Sequence, residues 1–340
     1  MGIPAVYYHP LFLKHETGRH PESKDRLVAA RQALLDSDLE LEWVTPDPAP
    51  VQAIARIHDP SYIETVREMA DGGGGWLDGD TVVSPSSYEA ALLATGSGLM
   101  AVDRCLSGRQ LAFMLVRPPG HHACRARGMG FCLFNNIAVA TAHALDERGL
   151  ERVLIVDWDV HHGNGTQAAF YDDPRVLFVS IHEGGHYPGT GLAGEVGIGD
   201  GAGYTVNVPL HAGESDGAVF LAFESLLAPL TRAFKPQIVL VSAGYDPQEG
   251  DPLGDLRFSE TAFQWMAARL LALSQEVGAA GPLCFLEGGY VPSMVAASIV
   301  ATLRGLSGET PPFERVVSDA GRADVQEALE AVSAYWEGVF

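Results

Sequence analysis

The chain has 340 residues, with 22 Lys and Arg against 43 Asp and Glu, which gives a formal net charge of -21 at pH 7. Hydrophobic residues make up 47% of it, enough for a folded core, and this excludes a disordered protein. A surface this acidic repels a phosphate backbone, which excludes nucleic acid as a partner. The same surface attracts cations, which favours amines or lysine-rich segments as partners.

The predicted elements, taken in chain order, change character near residue 110. Before it, helices are predicted over 25–37, 60–71 and 86–108. After it, short apolar runs alternate with helical patterns, as βα units require. The strands are predicted over 111–116, 152–160, 175–182, 237–244 and 283–289, and the helices over 135–149, 220–234 and 263–278. Runs that are apolar on both faces are typical of a buried parallel sheet covered by helices, so we expect one α/β domain over 1–340.

The cysteines and the apolar segments indicate the cellular location of the protein. Cys105, Cys124, Cys132 and Cys284 form no C-x-x-C pair, which favours reduced thiols in a cytoplasmic protein. The N-terminus MGIPAVYYHP lacks the basic and apolar regions of a signal peptide. No uncharged apolar stretch approaches the ~18 residues needed to cross a bilayer, so no membrane partner is expected. The oligomeric state stays open, a homo-oligomer included.

Polar groups follow four of the predicted strands. These groups lie in RPPGHH after the first strand, in DWDVHHGN at the end of the second, at Asp246 and at Tyr290. In an open parallel sheet, ligands bind beyond the carboxyl ends of the strands, so groups that are far apart in sequence can converge there. Four such endings predict a functional site.

The segment DWDVHH predicts a metal site. At strand periodicity, Asp157, Asp159 and His161 point to one side, where unpaired buried charges require a neutralising cation. Together with Asp246 from another strand, Asp159 and His161 offer two carboxylates and one imidazole, which leaves positions for water and substrate. Zinc is predicted, with Fe(II) or Co(II) as alternatives. The simpler alternative is a solvated strand end, with Asp246 as a turn carboxylate before Pro247.

A tandem histidine pair and a tyrosine are the candidate catalytic groups. His121 and His122 titrate near neutral pH and can divide the work of general base and general acid. Asp157 and Asn164 are candidate partners that fix the tautomers of the two rings. Tyr290 follows two glycines and can donate its hydroxyl proton to a developing oxyanion. The alternatives are a structural histidine pair and a tyrosine that packs against the sheet edge.

Five segments resemble those of one family. They are RPPGHHA (117–123), GFCLFNN (130–136), DWDVHHGNGTQ (157–167), SAGYDPQEGDPLG (242–254) and LEGGY (286–290). In this order they resemble the zinc-dependent histone deacetylase, acetylpolyamine amidohydrolase and acetoin-utilisation superfamily. HPESKDRL (20–27) and DGDTVVSPSSYEAAL (78–92) resemble its class II branch, bacterial members included. The resemblance implies an arginase-like α/β fold with an eight-stranded, mostly parallel sheet, and metal-assisted hydrolysis of an N-acyl amine.

The resemblance implies a role for each matching residue. The implied zinc ligands are Asp159, His161 and Asp246, and the implied catalytic groups are His121, His122, Tyr290, Asp157 and Asn164. Asn164 stands where class I relatives carry aspartate and class II members asparagine. Phe131 and Tyr187 match the aromatic walls of an acyl-lysine tunnel, and Gly130 matches the carbonyl that accepts the substrate N–H. One implied potassium site uses Asp157, Asp159, His161, Ser180 and Ile181, and a second uses Phe170, Asp173, Val176 and Tyr204.

Two substrates are compatible with the resemblance. Leu253 stands where polyamine-selective relatives carry an acidic residue, and HPESKDRL lacks the insertion that narrows their entrance. Acyl-lysine in a protein or peptide is therefore favoured over an acetylated polyamine, which remains the alternative. A non-catalytic acyl-lysine binding module would be expected to lack a metal ligand or the tyrosine. It is disfavoured because the three metal ligands and Tyr290 are all present. A binuclear hydrolase would need further bridging carboxylates, and the nearby Asp251 and Asp255 lie beyond a proline-containing turn.

Overall fold

The computed structural model of the protein describes residues 3–108, 110–313 and 315–340. Its strands are β1 (Ala5–Tyr7), β2 (Glu42–Val44), β3 (Gly75–Trp76), β4 (Val82–Val83), β5 (Ala112–Met114), β6 (Val153–Asp157), β7 (Val176–Glu183), β8 (Thr205–Leu210), β9 (Ile238–Ala243) and β10 (Ala280–Leu286). Within these described ranges, eight strands form one sheet in the order β2, β1, β5, β10, β9, β6, β7, β8, and every neighbouring pair is parallel. The strands β3 and β4 form a separate antiparallel pair.

Helices connect the strands of the large sheet. They are α1 (Asp25–Asp36), α2 (Val51–Ile54), α3 (Pro60–Asp71), α4 (Ser87–Gly108), α5 (Asn136–Asp146), α6 (Asn164–Phe170), α7 (Asp216–Ala222), α8 (Ala228–Phe234), α9 (Glu260–Val277), α10 (Pro292–Leu306) and α11 (Asp319–Ser333). Local sequence explains several of their ends. The side chain of Asn135 accepts a hydrogen bond from Ala138 N at the start of α5, and Gly278 ends α9 in the left-handed conformation.

The central strands form the core of the protein. Every residue of β6, β9 and β10 is buried. Because successive side chains of a strand point to opposite faces, complete burial requires that both faces of the sheet are covered. The expected α/β architecture with an eight-stranded sheet is thus confirmed. A mostly parallel sheet was expected, and the observed sheet is parallel throughout its eight strands.

Two strands of the large sheet are not predicted from the sequence, and a third is indicated only by the turn that precedes it. The strands β1 and β2 lie in the part expected to be mostly helical, and each has only three residues, too few to show a periodicity. The third, β8, lies at the opposite edge of the sheet; the turn-like stretch GIGDGAGY around Asp200 predicts a strand after it but not the bounds of that strand. The helices α1, α3 and α4 and the strands β5, β6, β7, β9 and β10 were predicted.

The helix 216–234 is long and apolar enough to cross a bilayer, judged by length and composition alone. A single π-helical turn, Phe223–Leu227, joins α7 to α8 within it. However, 61% of its apolar window is buried inside the fold, and Val219, Phe223 and Leu230 are completely buried. A core helix has these properties, so this stretch is weak evidence for a membrane span.

Candidate active site

The four strands that end in polar residues are consecutive in the sheet, in the order β5, β10, β9, β6. Because they are parallel, their carboxyl ends meet at one edge. Asp157 at the end of β6 pairs in register with Ser242 of β9, and the neighbouring Ala243 pairs with Leu286 of β10. The loops after these strands therefore begin side by side. This arrangement brings the candidate groups of the sequence together, although they span residues 121 to 290.

Asp159, His161 and Asp246 form a buried group of potential metal ligands. Their ligand atoms all lie within 4.8 Å of one another. His161 Nδ1 is 3.1 Å from Asp159 Oδ1 and 3.3 Å from Asp246 Oδ2. Two carboxylates and one imidazole are a donor set that zinc and other divalent first-row metals accept.

The surroundings of these residues fit a bound cation. Asp246 Oδ1 accepts a hydrogen bond from Val160 N at 2.9 Å, whereas its buried Oδ2 makes no hydrogen bond within the described residues and faces only the His161 ring, 3.3 Å away. A buried carboxylate oxygen without a donor is unfavourable unless a cation compensates it. A Cβ at Gly288 would lie 2.0 Å from Asp246 Oδ2 and 2.6 Å from Asp159 Oδ2. Glycine at position 288 therefore keeps the space beside both oxygens open.

His121, Cys132 and Glu287 form a second buried group whose donor atoms lie within 4.8 Å of one another. These atoms are already engaged within the protein. The thiol of Cys132 donates to Gly130 O at 3.3 Å, and both oxygens of Glu287 accept hydrogen bonds. A metal would have to displace these contacts, so the first group is the better metal site.

The two tandem histidines have different partners. His121 Nδ1 is 3.0 Å from Asp157 Oδ2, whereas His122 Nδ1 is 2.8 Å from Asn164 Oδ1. The ring centroids of His121 and His122 are 3.9 Å apart, and both rings are buried. A carboxylate partner stabilises an imidazolium, whereas an amide oxygen accepts from a neutral ring and leaves Nε2 with a lone pair.

The charges around the pair shift the two pKa values in opposite directions. Burial lowers the pKa of His121, but the carboxylates of Asp157 and Asp159 outweigh burial and raise this pKa to about 10. Burial, together with the cationic rings of His121 and His161, lowers the pKa of His122 well below its usual value. The pair thus combines a charged and a neutral imidazole at neutral pH.

A cavity of about 320 Å³ opens above the metal group. It is lined by Asp80, His122, Gly130, Phe131, His161, His186, Tyr187, Asp251, Pro252, Leu253, Gly254, Asp255 and Tyr290. All four predicted substrate contacts, Gly130, Phe131, Tyr187 and Leu253, are among these residues. The cavity therefore connects the predicted catalytic groups with the predicted substrate wall.

The aromatic wall of this cavity is tightly arranged. The ring of Tyr187 meets that of His122 edge-on at a centroid distance of 5.1 Å, and Phe131 meets Tyr290 in the same way at 5.7 Å. Phe131 has the left-handed φ of 69°, which is uncommon for a bulky residue, and its N–H donates to Thr81 Oγ1 at 3.1 Å. The backbone at Gly130 packs directly against the His122 ring, since a Cβ at position 130 would lie 2.3 Å from that ring.

Tyr290 is held through its backbone. Its N–H donates to Asp251 Oδ2 at 2.6 Å, while Asp251 Oδ1 accepts from Leu253 N at 3.0 Å. The guanidinium of Arg26 lies 5.2 Å from the centroid of the Tyr290 ring. Asp251 therefore joins the tyrosine to the loop that carries Leu253, a role that the sequence did not indicate.

The residues of the two predicted potassium sites lie as follows. All five of the first set are buried, and Asp157 and Ser180 are register partners across β6 and β7. In the second set, the carbonyls of Phe170, Asp173 and Tyr204 accept backbone hydrogen bonds at 3.1, 3.2 and 2.9 Å. Both potassium sites stay predictions.

A buried ion network supports the loops of the site. Glu22 Oε1 accepts from Arg117 Nε at 2.5 Å and from Arg26 Nη1 at 3.0 Å, and all three side chains are buried. Arg26 also donates to the carbonyls of Glu287 and Gly289, both at 2.5 Å. The sequence motifs do not indicate this network, because apart from the Glu22–Arg26 pair its contacts span 95 to 263 residues.

We expect Arg117→Met to lower the free energy of unfolding by about 3–5 kcal/mol, because it leaves a buried carboxylate with only one of its two cations. Denaturant unfolding measures this change. Arg232→Met is the matched control, since Arg232 pairs with Glu276 at 2.6 Å where both side chains are 46% exposed, and it should cost about 0–1 kcal/mol. Equal losses in the two variants would contradict the prediction.

Comparison with known proteins gives the family. A sequence profile of the histone deacetylase domain matches residues 20–306. Histone deacetylase 10, chloroplastic, from Oryza sativa subsp. japonica is 40% identical over 315 residues, which cover 87% of this chain and 71% of the rice protein. Polyamine deacetylase HDAC10 from Homo sapiens is 37% identical over 362 residues, which cover 100% of this chain and 53% of the human protein.

The structure is similar to a solved one. The crystal structure of the HDA15 HD domain matches with a TM-score of 0.93 at 35% sequence identity, covering 99% of this chain and 98% of that domain. The resemblance inferred from the motifs is confirmed, and so is the fold that it implied. The chain belongs to the histone deacetylase family.

Proposed function

We propose that the protein is a metal-dependent hydrolase that removes an acetyl or other acyl group from the ε-amine of acyl-lysine in proteins or peptides. The observation that carries this proposal is the buried set of Asp159, His161 and Asp246 beside a histidine pair with unlike partners. Zinc is the proposed ion, and Fe(II) or Co(II) are alternatives because two of three ligands are oxygen donors. Bound there, the ion would polarise the substrate carbonyl and acidify a water molecule.

The histidine pair would move the protons. His122, neutral and hydrogen-bonded to Asn164, has a free Nε2 that can accept the proton of the attacking water. His121, kept cationic beside Asp157, can provide a proton for the departing amine, directly or through its neighbour. Asp157 and Asn164 act by orienting the two rings. The products are a carboxylic acid and a free amine.

Tyr290 and the cavity wall would hold the substrate. The Tyr290 hydroxyl donates a hydrogen bond to the carbonyl oxygen as negative charge develops on it. Phe131 and Tyr187 enclose the apolar stem of the acylated side chain, and the carbonyl of Gly130 accepts the substrate N–H. Leu253 also lines the cavity. The apolar surface of these side chains supports the stem of a lysine side chain over a polyamine, whose inner nitrogens carry charge. Three carboxylates of the same cavity, Asp80, Asp251 and Asp255, favour the polyamine instead.

An acetylated polyamine is the second candidate substrate, favoured by the similarity to human polyamine deacetylase HDAC10. The net charge of -21 is compatible with both candidates, because both are presented on cationic molecules. Potassium at the first predicted site would reinforce the end of β6, where Asp157 lies. The second site would act further from the reaction.

We also propose a reducing location such as the cytoplasm for one domain spanning the chain. No disulfide joins any of the four cysteines, all of which lie in the described residues. The acidic composition supports partners other than nucleic acid and membranes. Assembly into a homo-oligomer is compatible with this function.

The function is tested by a hydrolysis panel run side by side on one preparation. Peptides with acetyl-, longer acyl- and lactyl-lysine are compared with acetylputrescine and acetylspermidine. We expect release of the acyl group from lysine peptides at the higher kcat/KM, loss of this activity with a chelator, and recovery with zinc. Metal analysis should give about one ion per chain. Two Mn(II) ions per chain, or no chelator-sensitive release from any substrate, would overturn the proposal.

A further inference from the structure

Glu287 is a fully buried acid that belongs neither to the metal group nor to the histidine pair. We propose that Glu287 is a positioning residue, whose carboxylate fixes the backbone of the histidine loop (residues 117–122) against the ends of β9 and β10. This inference rests on the proposed function, since it assigns the means by which the histidine pair is held in place for that reaction.

The carboxylate of Glu287 is bound on both oxygens. Oε2 accepts from Gly120 N at 2.7 Å and from His121 N at 3.2 Å. Oε1 accepts from Ser242 Oγ at 3.2 Å, and Ser242 is a residue of β9. One side chain therefore connects the histidine loop to two strands of the sheet.

The sequence of the loop explains why these two amides matter. Pro118 and Pro119 have no N–H group, so Gly120 and His121 carry the first two amides available after Arg117. In the buried loop these amides need an acceptor, and Glu287 supplies it. A backbone carbonyl could accept a hydrogen bond from one of these amides, but one carboxylate oxygen of Glu287 accepts from both.

The backbone of His121 is fixed on its other side as well. Its carbonyl accepts from Gly165 N at 3.0 Å and from Thr166 N at 3.1 Å, at the start of α6. The amide of His121 is bound by Glu287 and its carbonyl by α6, so the peptide groups on both sides of its Cα are held. With Nδ1 at 3.0 Å from Asp157, the position of the imidazole is then determined.

Glu287 is itself rigidly placed. Its N–H donates to Ala243 O of β9 at 3.1 Å, and its carbonyl accepts from Arg26 at 2.5 Å. The next residue, Gly288, donates its N–H to Asp159 Oδ2 at 2.7 Å. Adjacent residues of one segment thus hold the histidine loop and a metal ligand, so Glu287 relates the position of one to the other.

Two substitutions separate hydrogen bonding from charge. Glu287→Gln keeps an amide oxygen that can accept from Gly120 and His121, while its NH₂ group faces the Ser242 hydroxyl, which can accept. Glu287→Ala removes every acceptor. We expect kcat on an acetyl-lysine peptide to fall roughly 10–100-fold in Glu287→Ala, with KM and metal content unchanged, and to be largely retained in Glu287→Gln.

Hydrogen exchange read by mass spectrometry gives a measure that does not depend on activity. The amides of the histidine loop should exchange faster in Glu287→Ala than in the wild type, and at the wild-type rate in Glu287→Gln. The matched control is Glu214→Ala. Glu214 is also a buried glutamate, but it binds Ser318 Oγ at 2.5 Å, before α11, and should change neither kcat nor exchange of the loop.

The outcomes distinguish this inference from the proposed function. A wild type that is inactive on all substrates overturns the function, and exchange then decides alone whether Glu287 holds the loop. An active wild type with unchanged kcat or unchanged loop exchange in Glu287→Ala overturns the positioning role. If Glu287→Gln loses as much activity as Glu287→Ala, the charge and not the hydrogen bonds is what matters, and the positioning role is likewise overturned.

Discussion

Replacing Tyr290 by phenylalanine is expected to lower kcat by roughly 10²–10³-fold while metal content stays unchanged. The substitution removes only the hydroxyl that would donate to the oxyanion. The ring contacts with Phe131 at 5.7 Å and with the Arg26 guanidinium at 5.2 Å do not need it. The free energy of unfolding should therefore also be retained. Hydrolysis of an acetyl-lysine peptide, metal analysis and denaturant unfolding measure the three quantities.

Tyr62→Phe is the matched control for this substitution. The Tyr62 hydroxyl donates to Leu133 O at 2.7 Å in a buried cluster that does not line the cavity. Its loss should lower the free energy of unfolding by about 1 kcal/mol and leave kcat unchanged. Full activity of Tyr290→Phe would remove the oxyanion role, and an equal loss of kcat in both variants would show a general structural effect.

Replacing Asp246 by asparagine is expected to remove the bound metal and, with it, the activity. Asparagine keeps the size of the side chain and can still accept from Val160 N, so the fold should be retained. It lacks the negative charge of the carboxylate, whose Oδ2 makes no hydrogen bond within the described residues. Metal content should fall well below one ion per chain, and hydrolysis should fall to the level of the chelator-treated wild type.

Asp246→Asn should be more stable than the wild type in the absence of metal and less stable than the wild type when zinc is added. Without metal, burial and the neighbouring Asp159 raise the pKa of Asp246, which means that its ionised form is costly. The metal-free asparagine variant should therefore unfold at a higher temperature than the metal-free wild type at neutral pH. With zinc added, the wild type should become the more stable protein, because only it gains binding free energy. A variant that keeps full metal content would contradict the assignment.

Much of the site could be predicted because its chemistry is concentrated at strand ends. Asp157, Asp159 and His161 alternate at the end of an apolar run, a local pattern that is visible without any alignment. The predicted strand over 152–160 is too long, however, because β6 ends at Asp157, and Asp159 and His161 lie in the loop after it. The supporting residues could not be predicted in this way. Glu287 binds amides that are 166 and 167 residues away, and nothing near Glu287 in sequence indicates those partners. The sequence suggests Asp251 only as a possible bridging metal ligand, whereas in the structure it accepts a hydrogen bond from the backbone of Tyr290.

The fold shows the same division between local and distant information. The long strands β6, β7 and β9 could be predicted because each contains a continuous run of apolar residues. The strand β1 has only Ala5, Val6 and Tyr7, and it is defined by parallel pairing with β2 and β5 on its two sides. Such a strand depends on partners that are distant in sequence, so its three residues carry little signal of their own.

The position of β10 in the sheet has a consequence for how the chain folds. It is the last strand to be synthesised, yet it lies between β5 and β9. Before it is added, β2, β1 and β5 share no backbone hydrogen bonds with β9, β6, β7 and β8, so the sheet consists of two unconnected halves. Each half exposes an apolar edge until residue 286 has left the ribosome, a state that is prone to aggregation. Because the same segment brings Glu287 and Tyr290, the joining of the two halves and the completion of the candidate active site are one event.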